Sequence, residues 1–281
     1  SSNAIPPGLV SKGFLEKKVF SPVSSKSTKP DIGLARGSEN FQREISLLCN
    51  PELSSFFPVT VEKTMMKNVA IIGASGYVGS VLLQEALGRN LHVKAIVRHP
   101  EKIPLHDNHL EVVKGDVSHP AEVRKLVEGM DAVISSYNPG WKNPDIYQDT
   151  LSGYRSILQG VKEAKINRLL IVGGAGRLYI APGLRLVDSG EIPEQLLNGV
   201  KGLADVYTQL LQPEKELDWV FLSPSASLVP GQRTGIFRIG KDELLTDAKG
   251  ESHISTEDFA VAMLNELEHP GHHREGFTVG Y

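Results

Sequence analysis

The stretch "NVAIIGASGYVGSVLLQEAL", residues 68–87, decides the fold of this chain. An apolar run of strand-forming residues leads into three glycines, Gly73, Gly76 and Gly79, and an apolar helical pattern follows them. In such a strand–loop–helix unit, the backbone N–H groups of the loop and the positive end of the helix can face a phosphate. The stretch therefore predicts a phosphate-binding loop.

The spacing of the glycines narrows the class of ligand that the loop can bind. The loop lacks the Gly-Lys-Ser/Thr that binds nucleoside triphosphates. In a dinucleotide loop, one glycine permits the tight turn, another lets the backbone approach the pyrophosphate, and the last brings helix and strand together. We therefore expect a dinucleotide to be held by Gly73, Ala74, Ser75, Gly76, Tyr77, Val78 and Gly79.

The rest of the chain from residue 66 alternates short apolar runs with helical stretches. The runs are "NVAII", "HVKAIVR", "LEVVKG", "DAVISSY", "RLLIVGG" and "DWVFLSP", and the helices are expected at 77–87, 120–128, 145–165 and 193–211. A capping box at Ser255 starts a last helix, and "FTVGY" closes the sheet. Such alternation predicts an α/β fold, a doubly wound parallel sheet of the Rossmann type, as a single domain over residues 66–281.

Residues 1–65 differ in composition from the rest. Ser, Pro and Gly supply 21 of these 65 residues, which favours extended or disordered chain. Ser2-Asn3-Ala4 resembles a remnant of an expression tag. We interpret residues 1–65 as an N-terminal extension that is disordered or not native.

Composition excludes several classes of function. The net charge of −3 argues against a nucleic-acid binder, and no apolar run approaches the roughly 18 residues of a membrane span. The single cysteine, Cys49, excludes an intramolecular disulfide and a multi-cysteine metal site. We expect a cytoplasmic monomer or homodimer that binds no metal and acts on a small molecule.

The end of the second predicted strand indicates which dinucleotide is bound. An NAD site usually has an acid there for the ribose 2′-hydroxyl, whereas this chain has Arg98, followed by His99 and Lys102. A guanidinium forms paired hydrogen bonds with a 2′-phosphate. NADP is therefore favoured and NAD stays possible; the alternative is a solvated arginine.

Three further strand ends are expected to line the same cofactor. Asp116 and Val117, after the third strand, would contact the adenine. Ser135 and Ser136, after the fourth, would lie beside the nicotinamide ribose. Gly173 and Gly174, after the fifth, would let the nicotinamide approach the backbone.

At this point the residues resemble a known family. Five segments are similar to the atypical short-chain dehydrogenase/reductases, and within them to the NADH-flavin reductase subgroup, which is related to NmrA-like proteins and biliverdin-IXβ/flavin reductases. The segments are "NVAIIGASGYVG", "VRHPEK", "GDV", "IVGGAGRL" and "LDWVFLSPSASLVPGQRTGIFRIG". The resemblance covers residues 66–281. It implies substrate over the nicotinamide, walled by the segments after strands four, five and six.

The chain departs from this family at the proton relay. Catalytic members use Tyr-x-x-x-Lys, but none of the seven tyrosines has lysine four residues later. Tyr207 lies on the appropriate helix, with Leu211 in the lysine position, and the serine position is Gly174 or Ala175. Ordinary carbonyl chemistry is therefore disfavoured.

Hydride transfer to a conjugated acceptor needs no such relay, because solvent can supply the proton. We therefore expect an NAD(P)H-dependent reductase of flavin- or quinone-like acceptors, with FMN or FAD as substrate. Arg177 could pair with a flavin phosphate or be a surface residue, and each aromatic could instead serve ordinary packing. The alternatives in function are a non-catalytic NAD(P) sensor of the NmrA type and an epimerase- or dehydratase-like enzyme. The candidate substrate walls are Tyr137, Asn138, Trp141, Arg177, Tyr179, Ser223, Pro224 and Ser225.

Overall fold

The computed structural model describes residues 67–281. The predicted extension therefore lies outside the described residues. None of the helices in the described part is long and apolar enough to cross a membrane.

Twelve strands and five α-helices alternate along the described chain. The strands are β1 (Asn68–Ile72), β2 (His92–Val97), β3 (Leu110–Lys114), β4 (Ala132–Ser135), β5 (Arg168–Val172), β6 (Tyr179–Ala181), β7 (Leu184–Arg185), β8 (Asp218–Ser223), β9 (Ser227–Val229), β10 (Arg238–Gly240), β11 (His253–Ser255) and β12 (Glu275–Gly280). The helices are α1 (Gly79–Gly88), α2 (Pro120–Val127), α3 (Ile146–Glu163), α4 (Glu194–Asp205) and α5 (Thr256–Glu268).

Eight of these strands form one sheet in the order β10-β12-β8-β5-β4-β1-β2-β3. Every neighbouring pair is parallel except β10 with β12, which is antiparallel. The chain winds outward in both directions from β1, as the alternation of strands and helices predicts. The predicted doubly wound Rossmann fold is confirmed.

Successive residues of each central strand enter different cores, because side chains alternate between the faces of a sheet. In β1, Val69 and Ile71 pack in the cluster that contains α1 and α5. Ala70 and Ile72 pack in the cluster that contains α2 and α3. Both faces are covered, which explains why these strands read as continuous apolar runs rather than alternating ones.

The helix predicted at 193–211 is real but changes its winding. Residues Glu194–Asp205 are α-helical, and Val206–Leu211 continue as a π-helix. The short strands β6, β7, β9, β10 and β11 were not predicted. β9 pairs in parallel with β11 and forms a small second sheet beside the main one.

The capping box at Ser255 is only half formed. The Asp258 N–H donates to Ser255 Oγ at 3.0 Å, as predicted. The carboxylate of Asp258 instead accepts hydrogen bonds from the N–H groups of Thr234 and Gly235, at 2.8 and 2.7 Å. It therefore fixes the loop before β10 to the start of α5.

Candidate active site

A cleft of about 980 Å³ opens at the carboxyl ends of the central strands. It extends from Arg98, after β2, across the glycine-rich loop to the segments that follow β5 and β8. Its centre lies where the strand order reverses between β1 and β4. That switch point is where open α/β sheets bind their ligands.

The loop after β1 requires glycine for reasons that the structure makes specific. Gly73 has φ +79°, a left-handed conformation that favours glycine. A Cβ at Gly73 would lie 2.6 Å from the Ser136 carbonyl oxygen, and one at Gly79 would lie 2.1 Å from the Gly73 carbonyl oxygen. Gly79 therefore lets α1 approach the turn, while Gly76, whose Cβ would meet Gly73 O at 3.1 Å, lines the cleft.

The N–H groups that lead into α1 are left to a ligand. Val78, at the N-cap, makes no side-chain cap hydrogen bond, and the first turn contains no acidic residue. The leading N–H groups of a helix need partners. Those of Ser80 and Val81 donate to carbonyl oxygens of the preceding loop, whereas those of Tyr77, Val78 and Gly79 have no partner among residues 67–281. The loop and helix end therefore fit the pyrophosphate of a dinucleotide. Of the seven residues predicted here, Gly73, Ser75, Gly76, Tyr77 and Val78 line the cleft, while Ala74 and Gly79 are buried behind it.

The basic side chains that line the cleft are at its β2 end. Arg98, His99 and Lys102 all line it, and Arg98 is exposed with no hydrogen-bond partner among residues 67–281. A 2′-phosphate would find this guanidinium available.

Asp116 and Val117 lie on the adjacent wall. The Ser118 hydroxyl donates to Asp116 Oδ1 at 2.6 Å. This hydrogen bond is the largest cause of a lowered pKa at Asp116, and Arg98 adds to it. A carboxylate held ionised beside the arginine suits a hydrogen bond from an amino group.

Tyr137, which follows β4, lines the cleft and also packs against neighbouring residues. Its hydroxyl donates to the Asp149 carbonyl oxygen at 3.2 Å, and its ring meets Tyr154 edge-on at 5.7 Å. Burial, followed by the charge of Asp149, raises the pKa of Tyr137 to about 12. Tyr137 is therefore a poor proton donor. Ser136 lines the cleft, whereas Ser135 is fully buried beneath it.

The other half of the cleft has small, close walls. Gly173 and Gly174 follow β5 and line the floor together with Gly176. A Cβ at Gly173 would lie 2.3 Å from the Phe221 ring, and one at Gly176 would lie 2.4 Å from Val200 Cγ1. Gly173 thus admits the Phe221 ring and Gly176 admits Val200 of α4, and neither glycine adds a side chain to the floor.

Helix α4 presents an apolar face to this floor. The residues of α4 that line the cleft are Leu196, Gly199, Val200 and Leu203. Tyr207 does not line it; its ring packs 5.2 Å from that of Phe221. The absence of Tyr-x-x-x-Lys in the sequence therefore corresponds to a helix face without a titratable side chain.

Three predicted wall residues lie elsewhere. Arg177 is 3% exposed, donates from Nε to Ser223 Oγ at 2.9 Å and pairs with Asp242 at 2.5 Å. Both proposed roles of Arg177, phosphate partner and surface residue, are wrong because its donors are used inside the fold. Ser223 is fully buried with it, and Tyr179, 41% exposed, lies on β6 outside the lining.

The remaining predicted wall residues do line the cleft. They are Tyr137, Asn138, Trp141, Pro224 and Ser225. A Cβ at Gly199 of α4 would lie 2.6 Å from Cζ3 of the Trp141 indole. Trp141 therefore packs on α4, while Ser225 Oγ donates to the Val279 carbonyl oxygen at 3.0 Å and is 1% exposed.

Sequence reasoning missed the apolar wall from α4 and β9. Leu196, Val200 and Leu203 follow the spacing of one helix face, which was a usable signal. Leu228 of β9 had none, although Tyr77 of the glycine-rich loop donates to its carbonyl oxygen at 3.3 Å. Glu191, before α4, was also missed and lines this half.

Away from the cleft, three metal-ligand types come together at one turn. Ligand atoms of Asp247, Glu251 and His253 lie within 4.8 Å of one another. Asp247 Oδ1 already accepts the N–H groups of Lys249 and Glu251, at 2.8 and 2.9 Å. This carboxylate therefore stabilises the turn, and the expected absence of a metal stays a prediction.

Comparison with known proteins identifies the family of this chain. A family model described as NAD(P)H-binding matches residues 73–270. The uncharacterized protein YwnB of Bacillus subtilis is 38% identical over 216 residues, which cover 75% of this chain and 97% of YwnB.

Two solved structures are similar in both sequence and fold. A Bacteroides thetaiotaomicron protein, provisionally assigned as an epimerase, is 56% identical with a TM-score of 0.73, covering 77% of this chain and 97% of that one. A Streptococcus pneumoniae protein, provisionally assigned as an NADH-flavin reductase, is 30% identical with a TM-score of 0.66, covering 76% and 99%.

Proposed function

The chain belongs to the NAD(P)H-binding family, and on that premise we propose that it is an NADPH-dependent reductase of flat, conjugated acceptors such as flavins and quinones. The family match and the relatives support an NAD(P)-dependent oxidoreductase as the general class. The acceptor is inferred from the walls of the cleft.

One observation carries the choice of acceptor, namely the apolar face that α4 turns to the cleft floor. A carbonyl substrate needs a positioned acid to protonate the developing alkoxide. A flavin or quinone delocalises the incoming electron pair and takes its proton from water. A floor of glycines beneath an apolar wall serves the second reaction by holding two flat rings in contact.

The residues present fit the nicotinamide cofactor. The loop from Gly73 to Val78 and the uncapped end of α1 would hold the pyrophosphate. Arg98 would bind the 2′-phosphate and Asp116 the adenine amino group. When bound, NADPH supplies the hydride, and the protein's part is to orient the ring and exclude water from the floor.

The test measures, by absorbance, the oxidation of NADPH by the purified protein. The acceptors are riboflavin, FMN, FAD and a neutral quinone. We expect turnover with at least one of them and tighter binding of NADPH than of NADH in a calorimetric titration. Binding of NADPH without turnover on any acceptor would refute a reductase.

The same apolar face also favours a second candidate. A protein that binds the cofactor without acid–base groups could act as an NAD(P) sensor of the NmrA type. It would show tight cofactor binding, no turnover and a partner whose binding depends on the cofactor's oxidation state. The similarity to a protein provisionally assigned as an epimerase does not favour that reaction here, because α4 offers no tyrosine or lysine to the cleft.

A further inference from the structure

The two halves of the cleft differ in charge. All its basic side chains, Arg98, His99 and Lys102, come from the segment after β2. The half formed by the ends of β5 and β8, the segment before α4 and the cleft face of α4 has one charged lining residue, Glu191. Asp149, on the wall between the halves, is also acidic.

One arginine could have added a positive charge to this half of the cleft, but its side chain is engaged inside the fold. Arg177 follows β5, but its guanidinium donates to Ser223, Asp242 and the carbonyl oxygens of Lys241 and Phe277. It is 3% exposed and lies 4.5 Å from the centre of the Tyr207 ring. The half of the cleft formed by the ends of β5 and β8, the segment before α4 and the cleft face of α4, here called the acceptor half, therefore has no lining cation.

The nearest cations in sequence do not compensate. Arg185, next to the lining residue Leu186, pairs with Asp188 at 2.7 Å, and Lys201, next to the lining residue Val200, pairs with Asp205 at 2.9 Å. Lys142, next to Trp141, is exposed and does not line the cleft. Glu191, also exposed, has no cationic partner among residues 67–281. A phosphate in this half would meet a carboxylate without a compensating positive charge.

We infer that the acceptor is an unphosphorylated, uncharged flat ring, of the riboflavin or neutral quinone type, and that Glu191 selects against phosphorylated flavins. The inference rests on the proposed reductase function and specifies its substrate class. Like charges repel across several ångströms at a partly solvated site. The selection therefore operates on binding, while the reacting ring is the same in riboflavin and FMN.

Riboflavin and FMN form a matched pair for the test, because they differ only in the phosphate. With NADPH saturating, we expect the KM for FMN to exceed that for riboflavin by about tenfold at low ionic strength. In Glu191→Gln the ratio should fall toward one. It should also fall in the unmodified protein at about 1 M salt, where the screening length is about 3 Å. A purely structural role of Glu191 would not give this dependence on salt.

The control variant is Glu163→Gln. Glu163 is exposed at the end of α3 and makes the same charge change outside the cleft lining. We expect it to leave the KM ratio unchanged. Dissociation constants of riboflavin and FMN for the protein saturated with NADP⁺, measured by flavin fluorescence, give the same comparison without turnover.

The possible outcomes separate the two proposals. An FMN-to-riboflavin ratio of one or less, or a ratio that Glu191→Gln does not change, would overturn the selection by Glu191 and leave a reductase in place. A preference in the binding constants without turnover on any acceptor would overturn the reductase while the charge selection stands. Failure of both flavins to bind would overturn the inference.

Discussion

The guanidinium of Arg177 lies 4.5 Å from the centre of the Tyr207 ring. The sequence allowed each of these residues a catalytic or binding role, but Arg177 is buried, Tyr207 is partly buried, and neither lines the cleft. A Cβ at Gly276 would lie 2.7 Å from Arg177 Nη2 and 2.8 Å from Tyr207 Cε2. The glycine of β12 therefore makes room for the pair, which joins the π-helical turn after α4 to the sheet.

Replacement of Arg177 by leucine is expected to destabilise the fold. It leaves Ser223 and two carbonyl oxygens without their donor, for a loss of about 2–4 kcal/mol in the free energy of unfolding. Urea denaturation measures this loss. Arg185→Leu is the matched control, because its ion pair with Asp188 is partly exposed to solvent and contributes about 1 kcal/mol or less. Equal losses in the two variants would contradict the role of Arg177.

Replacement of Gly79 by alanine should impair the phosphate loop. The added Cβ would lie 2.1 Å from the Gly73 carbonyl oxygen, so the turn or the helix must shift. We expect NADPH affinity, measured by calorimetry, to fall by at least about tenfold, which corresponds to 1.4 kcal/mol.

Gly88 in the same helix provides the control for this substitution. A Cβ there has no atom within 4 Å, and alanine favours a helix over glycine by up to about 1 kcal/mol. Gly88→Ala should therefore leave affinity unchanged. A loss of NADPH affinity in Gly88→Ala equal to that in Gly79→Ala would show that the contact with Gly73 is not the cause.

Arg98→Asp should weaken NADPH binding more than NADH binding, by about tenfold or more in the ratio of dissociation constants. The reason is that the aspartate would repel a 2′-phosphate and accept a hydrogen bond from a 2′-hydroxyl. Arg124→Asp, on the exposed face of α2, makes the same charge change outside the cleft and should not alter the ratio. Equal weakening of both cofactors by Arg98→Asp would refute its assignment.

Asp258 makes stability depend on pH. Burial would raise its pKa, but hydrogen bonds from Thr234, Tyr281 and Gly235 outweigh burial and lower the pKa. Its contribution is therefore fully present above the ordinary aspartate pKa of about 3.9 and is lost as pH falls through the folded-state pKa. Asp258→Asn should cost about 2 kcal/mol at pH 7, and the difference from the unmodified protein should shrink below about pH 4.

Urea denaturation from neutral to acidic pH tests this expectation. Asp145→Asn is the comparison variant, because Asp145 is exposed and makes no side-chain cap hydrogen bond. It should change stability little at any of these pH values. A difference for Asp258→Asn that grows on acidification would have the wrong sign.

The sheet could be predicted because its central strands report their burial directly. Val69, Ile71 and their neighbours enter cores on both faces, so apolar runs mark the parallel strands of the main sheet. The roles of Gly73 and Gly79 also follow from local geometry. Short strands such as β9 and β11 have no such signal, because their three-residue pairing depends on contacts with distant segments.

The acceptor half was harder to predict for the same reason. Arg177 looked available in the sequence because its partners Asp242 and Phe277 are 65 and 100 residues away. The charge of Glu191 matters only because that half of the cleft lacks a lining cation. Such properties belong to the assembled walls and not to any local motif.

The apolar face of α4 has a consequence for the order of events in the proposed reaction. Hydride and proton would reach the acceptor from different sources, and the hydride would have to come first. Across a series of related rings, the rate should then increase with the ease with which the acceptor takes up an electron pair. Deuterium in the solvent should slow the reaction less than deuterium on the nicotinamide. Acceptors that cannot stabilise the resulting anion would be rejected by their electronic structure, even where their shape fits.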